Sequence, residues 1–357
     1  MRVLVTGDRG YMGAVLVPFL REAGLEVEGL DIGFYEGCDF GPPPEDIWGR
    51  IPMDIRDVAV SQLGGYDAVV CLAALSNDAL GQLKPAATYS VNLEGTLRLA
   101  RAAKEAGVER FLFSSSCSLY GAAGSARVSE DAELVPVTAY GETKVLAERA
   151  LSKLADDRFS PTYLRNASAY GMSPRLRLDN SVNNLTAMAL TTGQIRLESH
   201  GSKWRPLVHV EDICRAVLAV LGAPRERSHD EAFNVGRAEG NVQVRELADM
   251  VTSTLPGCSV SFARADRADL RNYRVDFSKL AETFPELRLR WSVREGVDEL
   301  VRAYAAHGMT FGALSSSRFV RLRRIRELVS NYLVDEMLRR QTRGRLPVSM
   351  EALELVH

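Results

Sequence analysis

Val3-Leu4-Val5-Thr6-Gly7-Asp8-Arg9-Gly10-Tyr11-Met12-Gly13 opens the chain with a short apolar, β-branched run followed at once by three evenly spaced glycines. From Ala14 to Ala23 the pattern becomes helical. Strand, glycine-rich turn and helix in that order form the context in which such glycines mean dinucleotide binding. Gly7 and Gly10 let backbone amides approach a pyrophosphate at a helix N-terminus, and Gly13 lets the helix pack closely on its strand. A second strand, Glu26 to Leu30, ends in Asp31. A carboxylate there accepts hydrogen bonds from both ribose hydroxyls and repels a 2′-phosphate, which favours NAD over NADP. A plain turn aspartate ahead of Gly33 is the alternative.

Working outward, residues 36 to 49 read as a loop, because Gly37, Gly41 and Pro42-Pro43-Pro44 exclude a regular element. Asp54, before Ile55, either accepts from an adenine amino group or caps the next helix. Asp67 to Ala74 is a buried strand whose end, Leu72-Ala73-Ala74, lets flat cofactor parts lie against backbone. A helix over about Ala86 to Ala106 carries Asn92 on an apolar face, as a core hydrogen-bonder or an orienter of the site. Strands alternate with helices from residue 2 to about 165, which predicts a parallel, doubly wound sheet with the site at the strands' C-terminal ends.

Ala139 to Leu154 lacks proline and is rich in Glu, Lys, Ala and Leu, so it predicts a helix with Tyr140 and Lys144 on one face. An ammonium about one turn from a phenol favours the phenolate, whose ordinary pKa is about 10, making Tyr140 a candidate acid/base. Ser116, at the end of the strand from Arg110, places a hydroxyl where it can share the same substrate oxygen. Such a Tyr-Lys pair also occurs on solvated helix faces, so it gains meaning only with the rest of the chain.

Taken together these motifs resemble the extended short-chain dehydrogenase/reductases, the NAD-dependent nucleotide-sugar epimerase/dehydratase family. The match runs through the glycine turn, Asp31, Asp54-Ile55, Leu72-Ala73-Ala74, Asn92, Ser114 to Gly121, Tyr140-x-x-x-Lys144, Arg165 to Gly171, and Trp204 to Asp212, from residue 1 to about 305. The resemblance implies a catalytic Ser116, Tyr140 and Lys144, and further cofactor contacts at Tyr11, Met12, Ile55, Asn92 and Ala167. It also implies a nucleotide-sugar diphosphate held by Asn184 and Arg205, with a second phosphate contact among Arg264, Arg267 and Arg271, Arg267 first among them. The guanidinium fork suits diphosphates in charge and geometry. Ser76 falls in Leu75-Ser76-Asn77-Asp78-Ala79, near the expected sugar.

Departures from the family narrow the expected chemistry. Sugar 4,6-dehydratases carry an Asp-Glu pair where this chain has Cys117 and Ser118, so dehydration is disfavoured. Relatives that use a cysteine two before the tyrosine of the Tyr-Gly pair meet Ser118 here, and Cys117 reads as a small buried thiol. Ser168 stands where asparagine is usual, so the sugar differs from the family's common one in its contacts.

Composition excludes several classes. The 357 residues carry a formal net charge of -2, which gives no electrostatic case for nucleic acid or an anionic membrane surface. Five scattered cysteines without a C-x-x-C pair suit reduced thiols, and the five histidines show no metal-ligand spacing. No leader pattern and no long apolar run occur, so a cytoplasmic protein is expected.

The expected organisation is a Rossmann-type domain over 1–165, rejoined by part of 205–236, a smaller substrate domain over 166–312, and a helical tail over 313–357. In the tail, Arg318 through Arg339 follows a basic amphipathic pattern with Phe319, Leu322 and Ile325 on one stripe, which predicts docking on its own domain or on a dimer partner. Residues 340 to 357 receive no role. The expected function is an NAD-dependent epimerase of a nucleoside-diphosphate sugar, at C4, with tightly held NAD. An NAD-dependent sugar ketoreductase or dehydrogenase, and a non-catalytic NAD-binding module, stand as alternatives. The resemblance implies a homodimer through residues 86 to 106 and 140 to 155.

Overall fold

The computed structural model describes residues 1–42, 50–76, 78–124, 126–263 and 271–341. Seven parallel strands form the central sheet: β1 (Arg2–Thr6), β2 (Glu26–Asp31), β3 (Arg50–Pro52), β4 (Ala68–Cys71), β5 (Arg110–Ser116), β6 (Ser160–Asn166) and β7 (Glu231–Val235). Their order is β7-β6-β5-β4-β1-β2-β3. The order reverses between β1 and β4, and a ligand crevice forms at such a switch point outside the strands' carboxyl ends. β1 and β4 are buried on both faces, as near-continuous apolar runs in a parallel sheet require. The edge strand β3, three residues ending in Pro52, is too short for sequence periodicity to reveal.

The helices of ten or more residues are α1 (Gly13–Glu22), α2 (Thr96–Glu105), α3 (Ala139–Ser152), α4 (Ser181–Thr192), α5 (Val210–Gly222), α6 (Val244–Thr254), α7 (Val293–Ala306) and α8 (Arg321–Ser330). On one side of the sheet, Leu16 and Leu20 of α1 pack with Val217 and Val220 of α5. On the other, Leu99 and Ala103 of α2 pack with Ala147 and Leu151 of α3. A second lobe contains the three-stranded sheet of Ser168–Tyr170, Trp204–His209 and Asn241–Gln243, with α4, α6 and α7 around their own apolar cluster. Of residues 205–236, those in the strand Trp204–His209 belong to this second sheet, while α5 and β7 pack on the first lobe.

Two expected helices differ in form. The stretch from Pro85 to Glu105 is continuous, but Ser90–Gly95 winds as a π-helical turn, a wide turn that often sits at functional sites. The basic tail is not helical to Arg339: α8 ends at Ser330, and the chain then reverses through Tyr332, whose φ is 54°. The tail docks on its own chain. Ile325, Leu328, Val334 and Leu338 join the α2–α3 core, each burial stabilising by about 1.5–3 kcal/mol. Phe319 leaves the expected stripe and packs edge-on against Phe40, with ring centroids 5.7 Å apart.

Candidate active site

The carboxyl ends of the strands open into a cavity of about 530 Å3. Gly7, Gly10, Tyr11, Met12 and Gly13 line it after β1. Gly7 has φ 77°, and a Cβ on Gly13 would lie 2.2 Å from the Gly7 carbonyl oxygen, so the turn and α1 touch as closely as glycine permits. At the end of β2, Asp31 accepts hydrogen bonds from the Gly33 N–H at 2.6 Å and the Arg9 N–H at 3.2 Å. Asp54 and Ile55 also line the cavity, but the Asp54 carboxylate serves as a cap, accepting from the Arg56 N–H at 2.9 Å and pairing with its guanidinium at 2.5 Å. Leu72, Ala73, Ala74 and Ser76 follow β4 into the cavity, and Ala167 follows β6.

Asn92 does not line the cavity, although the neighbouring Val91 does. Fully buried in the π-helical turn, Asn92 accepts from the Leu75 N–H at 2.8 Å and donates to the Leu75 carbonyl at 3.3 Å and to Thr143 Oγ1 at 3.4 Å. The amide therefore ties the Leu72–Ser76 loop to the helix that carries Tyr140.

Ser116, Tyr140 and Lys144 meet at one end of the cavity. Thr138 caps α3 by accepting from the Gly141 N–H at 3.1 Å, which fixes Tyr140 in the helix's first turn. Tyr140 and Ser116 face the same end of the cavity, and Ser116 Oγ accepts from the Ser118 N–H at 3.1 Å. Lys144 donates to the Ser114 carbonyl at 2.6 Å, with its ammonium 5.7 Å from the centre of the Tyr140 ring. Burial pushes the Tyr140 phenol up to about 12, the Asp78 carboxylate adds to the rise, and the Ser116 hydroxyl opposes it. Burial brings the Lys144 ammonium down to about 8. In this dry corner desolvation outweighs attraction between the pair.

Behind this corner, Arg165 pairs with Glu148 at 2.7 Å and donates to the Tyr120 hydroxyl at 3.1 Å, all three side chains being buried. That network locks α3 to β6. Cys117 is buried, its thiol donates to the Arg165 carbonyl at 3.1 Å, and burial raises it far above an ordinary thiol. This thiol is inert, as its reading as a small buried residue implies.

Toward the second lobe, Arg205 and Arg271 line the cavity and are joined by a hydrogen bond of 2.6 Å from the Arg205 guanidinium to the Arg271 carbonyl. Arg271 also pairs with Asp78. Arg264 and Arg267 lie outside the described residues. Asn184 is half-buried on α4 and does not line the cavity, which takes Asn180 and Ser181 instead. Its neighbour Asn183 is the buried one, accepting from the Gly171 N–H at 3.0 Å. Sequence reading did not single out Asn166, Arg177, Asn180, Tyr273 or Arg321, all of which line the cavity.

The donor set fits a dinucleotide and a phosphorylated co-ligand. Ser118 Oγ, Asn166 Oδ1, Asn180 Nδ2 and Arg321 Nη1 are buried, line the cavity and have no partner among the described residues. Buried polar atoms are nearly always hydrogen-bonded, so these four are available to bond a ligand in the cavity.

A parallel doubly wound sheet with a glycine turn, an acid-ended second strand and a Ser-Tyr-Lys corner defines a short-chain dehydrogenase/reductase site. The sequence profile of the NAD dependent epimerase/dehydratase family matches residues 3–236, and the chain belongs to that family; its cofactor is NAD. It is 30% identical to the UDP-glucose 4-epimerase of Lactobacillus helveticus over 277 residues, 71% of this chain and 82% of that one. The UDP-glucose 4-epimerase of Bacillus subtilis (strain 168) is 26% identical over 327 residues, 84% of this chain and 94% of that one. Among solved structures, MoeE5 in complex with UDP-glucuronic acid and NAD superposes with a TM-score of 0.74 at 27% identity, covering 86% of this chain and 99% of its own. The dTDP-glucose 4,6-dehydratase DesIV from Streptomyces venezuelae, with NAD and TYD bound, gives 0.74 at 26% identity, covering 86% and 97%. No helix among the described residues is long and apolar enough to cross a membrane.

Proposed function

We propose that this protein epimerizes a nucleoside-diphosphate sugar at C4. The observation that carries this reading is the composition of the catalytic corner. Ser116 and Tyr140 line the same end of the cavity, yet the two residues after Ser116 are the inert thiol of Cys117 and the hydroxyl of Ser118. Expelling a sugar hydroxyl needs an acid at that place, whereas moving a proton on and off a single carbinol needs only a hydroxyl relay.

Bound NAD supplies the reversible hydride acceptor and a fixed positive charge, which works against the burial that raises Tyr140. Tyr140 removes the proton from the C4 hydroxyl and returns it to the reduced product. Ser116 holds that oxygen through both half-reactions, so the carbonyl formed and the alcohol re-formed meet the same two hydroxyls. Lys144, anchored on the Ser114 carbonyl, keeps its charge close to the tyrosine. Arg205 and Arg271 hold the sugar nucleotide's diphosphate, so the ketosugar turns over while its nucleotide stays in place; remote binding energy of this kind raises turnover. Asn180 and Ser181 contact the same half of the substrate.

The native protein is incubated with a panel of UDP-, dTDP-, GDP- and CDP-sugars in water and in deuterium oxide, after the cofactor released on denaturation has been measured. Interconversion of two C4 isomers, stoichiometric NAD, no net NADH and no solvent deuterium on carbon are expected. Net formation or consumption of NADH with added cofactor would instead make the protein a sugar dehydrogenase or ketoreductase. The homodimer implied by residues 86 to 106 and 140 to 155 belongs to the same proposal, and light scattering reads it directly.

A further inference from the structure

Arg321 is the first residue of α8 and lies beyond the part of the chain that the family profile matches. Its side chain nevertheless lines the cavity and is 3% exposed. The guanidinium stacks on Tyr35 at 3.9 Å from the ring centre, and Nη2 donates to the Arg175 carbonyl at 2.8 Å. Nη1 has no partner among the described residues. Arg177, close by in the same wall, is already paired with Asp179 at 3.1 Å, whereas Arg321 has no carboxylate within salt-bridge distance among the described residues. A buried cation with an unused donor calls for an anion, and leaving it unpaired is costly.

The place of Arg321 says which anion. Arg324 donates to the Phe34 carbonyl at 3.0 Å, and Arg340 to the carbonyls of Ile32 and Gly33 at 2.6 and 2.7 Å. These are the residues that follow Asp31. On the other side, Arg175 hydrogen-bonds Ser173, whose hydroxyl donates to the Tyr11 carbonyl of the glycine turn at 2.8 Å. Arg321 thus sits between the acid-ended strand and the glycine turn, the two features that mark the ribose and diphosphate of a dinucleotide. Arg205 and Arg271 serve the other diphosphate, from the second lobe.

We infer that the C-terminal segment from Arg321 to Arg340 is the outer wall of the NAD site, and that Arg321 Nη1 is a ligand of the dinucleotide's diphosphate. The inference rests on the family's NAD requirement and not on which carbon is epimerized. A planar fork stacked on Tyr35 and fixed by Arg175 spends little entropy on binding, which is why arginine serves here better than lysine.

Isothermal titration of the cofactor-free protein with ADP-ribose, adenosine and UDP tests this, alongside Arg321→Gln and Arg321→Lys, with thermal melting of each variant as a check on folding. Removing one charge-assisted hydrogen bond is expected to weaken ADP-ribose by roughly tenfold or more, with the lysine variant in between and adenosine and UDP unchanged. Should the glutamine variant fail to fold, the lysine variant carries the test, because it retains the charge and loses only the fork. Unchanged ADP-ribose affinity in either folded variant would reduce the segment to a structural brace and overturn the proposal. A loss confined to UDP would overturn it equally, by assigning Arg321 to the substrate. Wild-type protein that binds none of the adenosine ligands would instead break the NAD reading of the whole site.

Discussion

At the catalytic end of the cavity, Ser116, Tyr140, Lys144 and Asn166 come from neighbouring strands and one helix, and the buried Arg165–Glu148 pair braces them from behind. At the Asp31 end, the walls come from both extremes of the described chain, the glycine turn at one side and Arg321 at the other. The first end is braced by internal bonds, Lys144 to the Ser114 carbonyl and Arg165 to Glu148, which hold its hydroxyls in place. The second keeps a guanidinium with one unused donor, held by a segment joined to the fold through arginine-to-carbonyl bonds and a few apolar anchors. Chemistry is placed on the rigid part, and grip on the ligand is placed partly on an added one.

The difference can be broken most directly with Tyr140→Phe. Turnover is expected to fall by about 10²–10⁴ while ADP-ribose binding and the melting temperature hold, because only the proton relay is lost. Near wild-type turnover would remove Tyr140 from the mechanism. Glu148→Ala attacks the brace instead, leaving Arg165 buried without its carboxylate; a loss of about 3–5 kcal/mol in urea unfolding is expected. A loss below about 1 kcal/mol would show that the corner is not locked as described.

Lys144 sharpens the comparison through pH. Its folded-state value, about 8, lies below the ordinary 10.5, so the folded chain sheds the proton first. The penalty of burying the ammonium is therefore complete below about pH 8 and is relieved as pH rises toward 10.5. Relative to Lys144→Met, cofactor-free wild type should gain stability across that window, on the order of 1–3 kcal/mol. A flat difference in melting temperature would place the ammonium in water. The smallest effect is expected at the outer rim, where Arg339 pairs with Asp57 at 2.6 Å with both side chains substantially exposed. Arg339→Ala should cost less than about 1 kcal/mol and leave ADP-ribose affinity unchanged.

The catalytic end was legible because its signals are local. Gly7 to Gly13, Asp31 and Tyr140 to Lys144 each carry their meaning within one turn or one strand end, and the parallel sheet follows from the alternation between them. Asn92 was legible as a polar group on an apolar helix, but the π-helical turn that aims it at Leu75 has no signature in the sequence. On α4 the resemblance pointed to Asn184, which lies half-buried beside the fully buried Asn183, a difference in packing that sequence alone does not show. In the tail, periodicity marked an element that must dock, yet nothing distinguishes Arg321 from the other arginines of α8 until the contact with Tyr35 is seen. The rise of Tyr140 was hidden for a related reason, since spacing reports which groups are near and says nothing of how much water reaches them.

The position of Arg321 in the chain also sets an order of events during synthesis. A ribosome delivers the glycine turn first and β7 long before α8, and domains fold as their residues emerge. A nascent chain therefore completes its sheet while the site still lacks one wall, open to whatever dinucleotide diffuses in. Closure waits for α8, so a stop codon ahead of Arg321 would remove that wall together with the apolar anchors Ile325, Leu328, Val334 and Leu338 that tie it to the α2–α3 core.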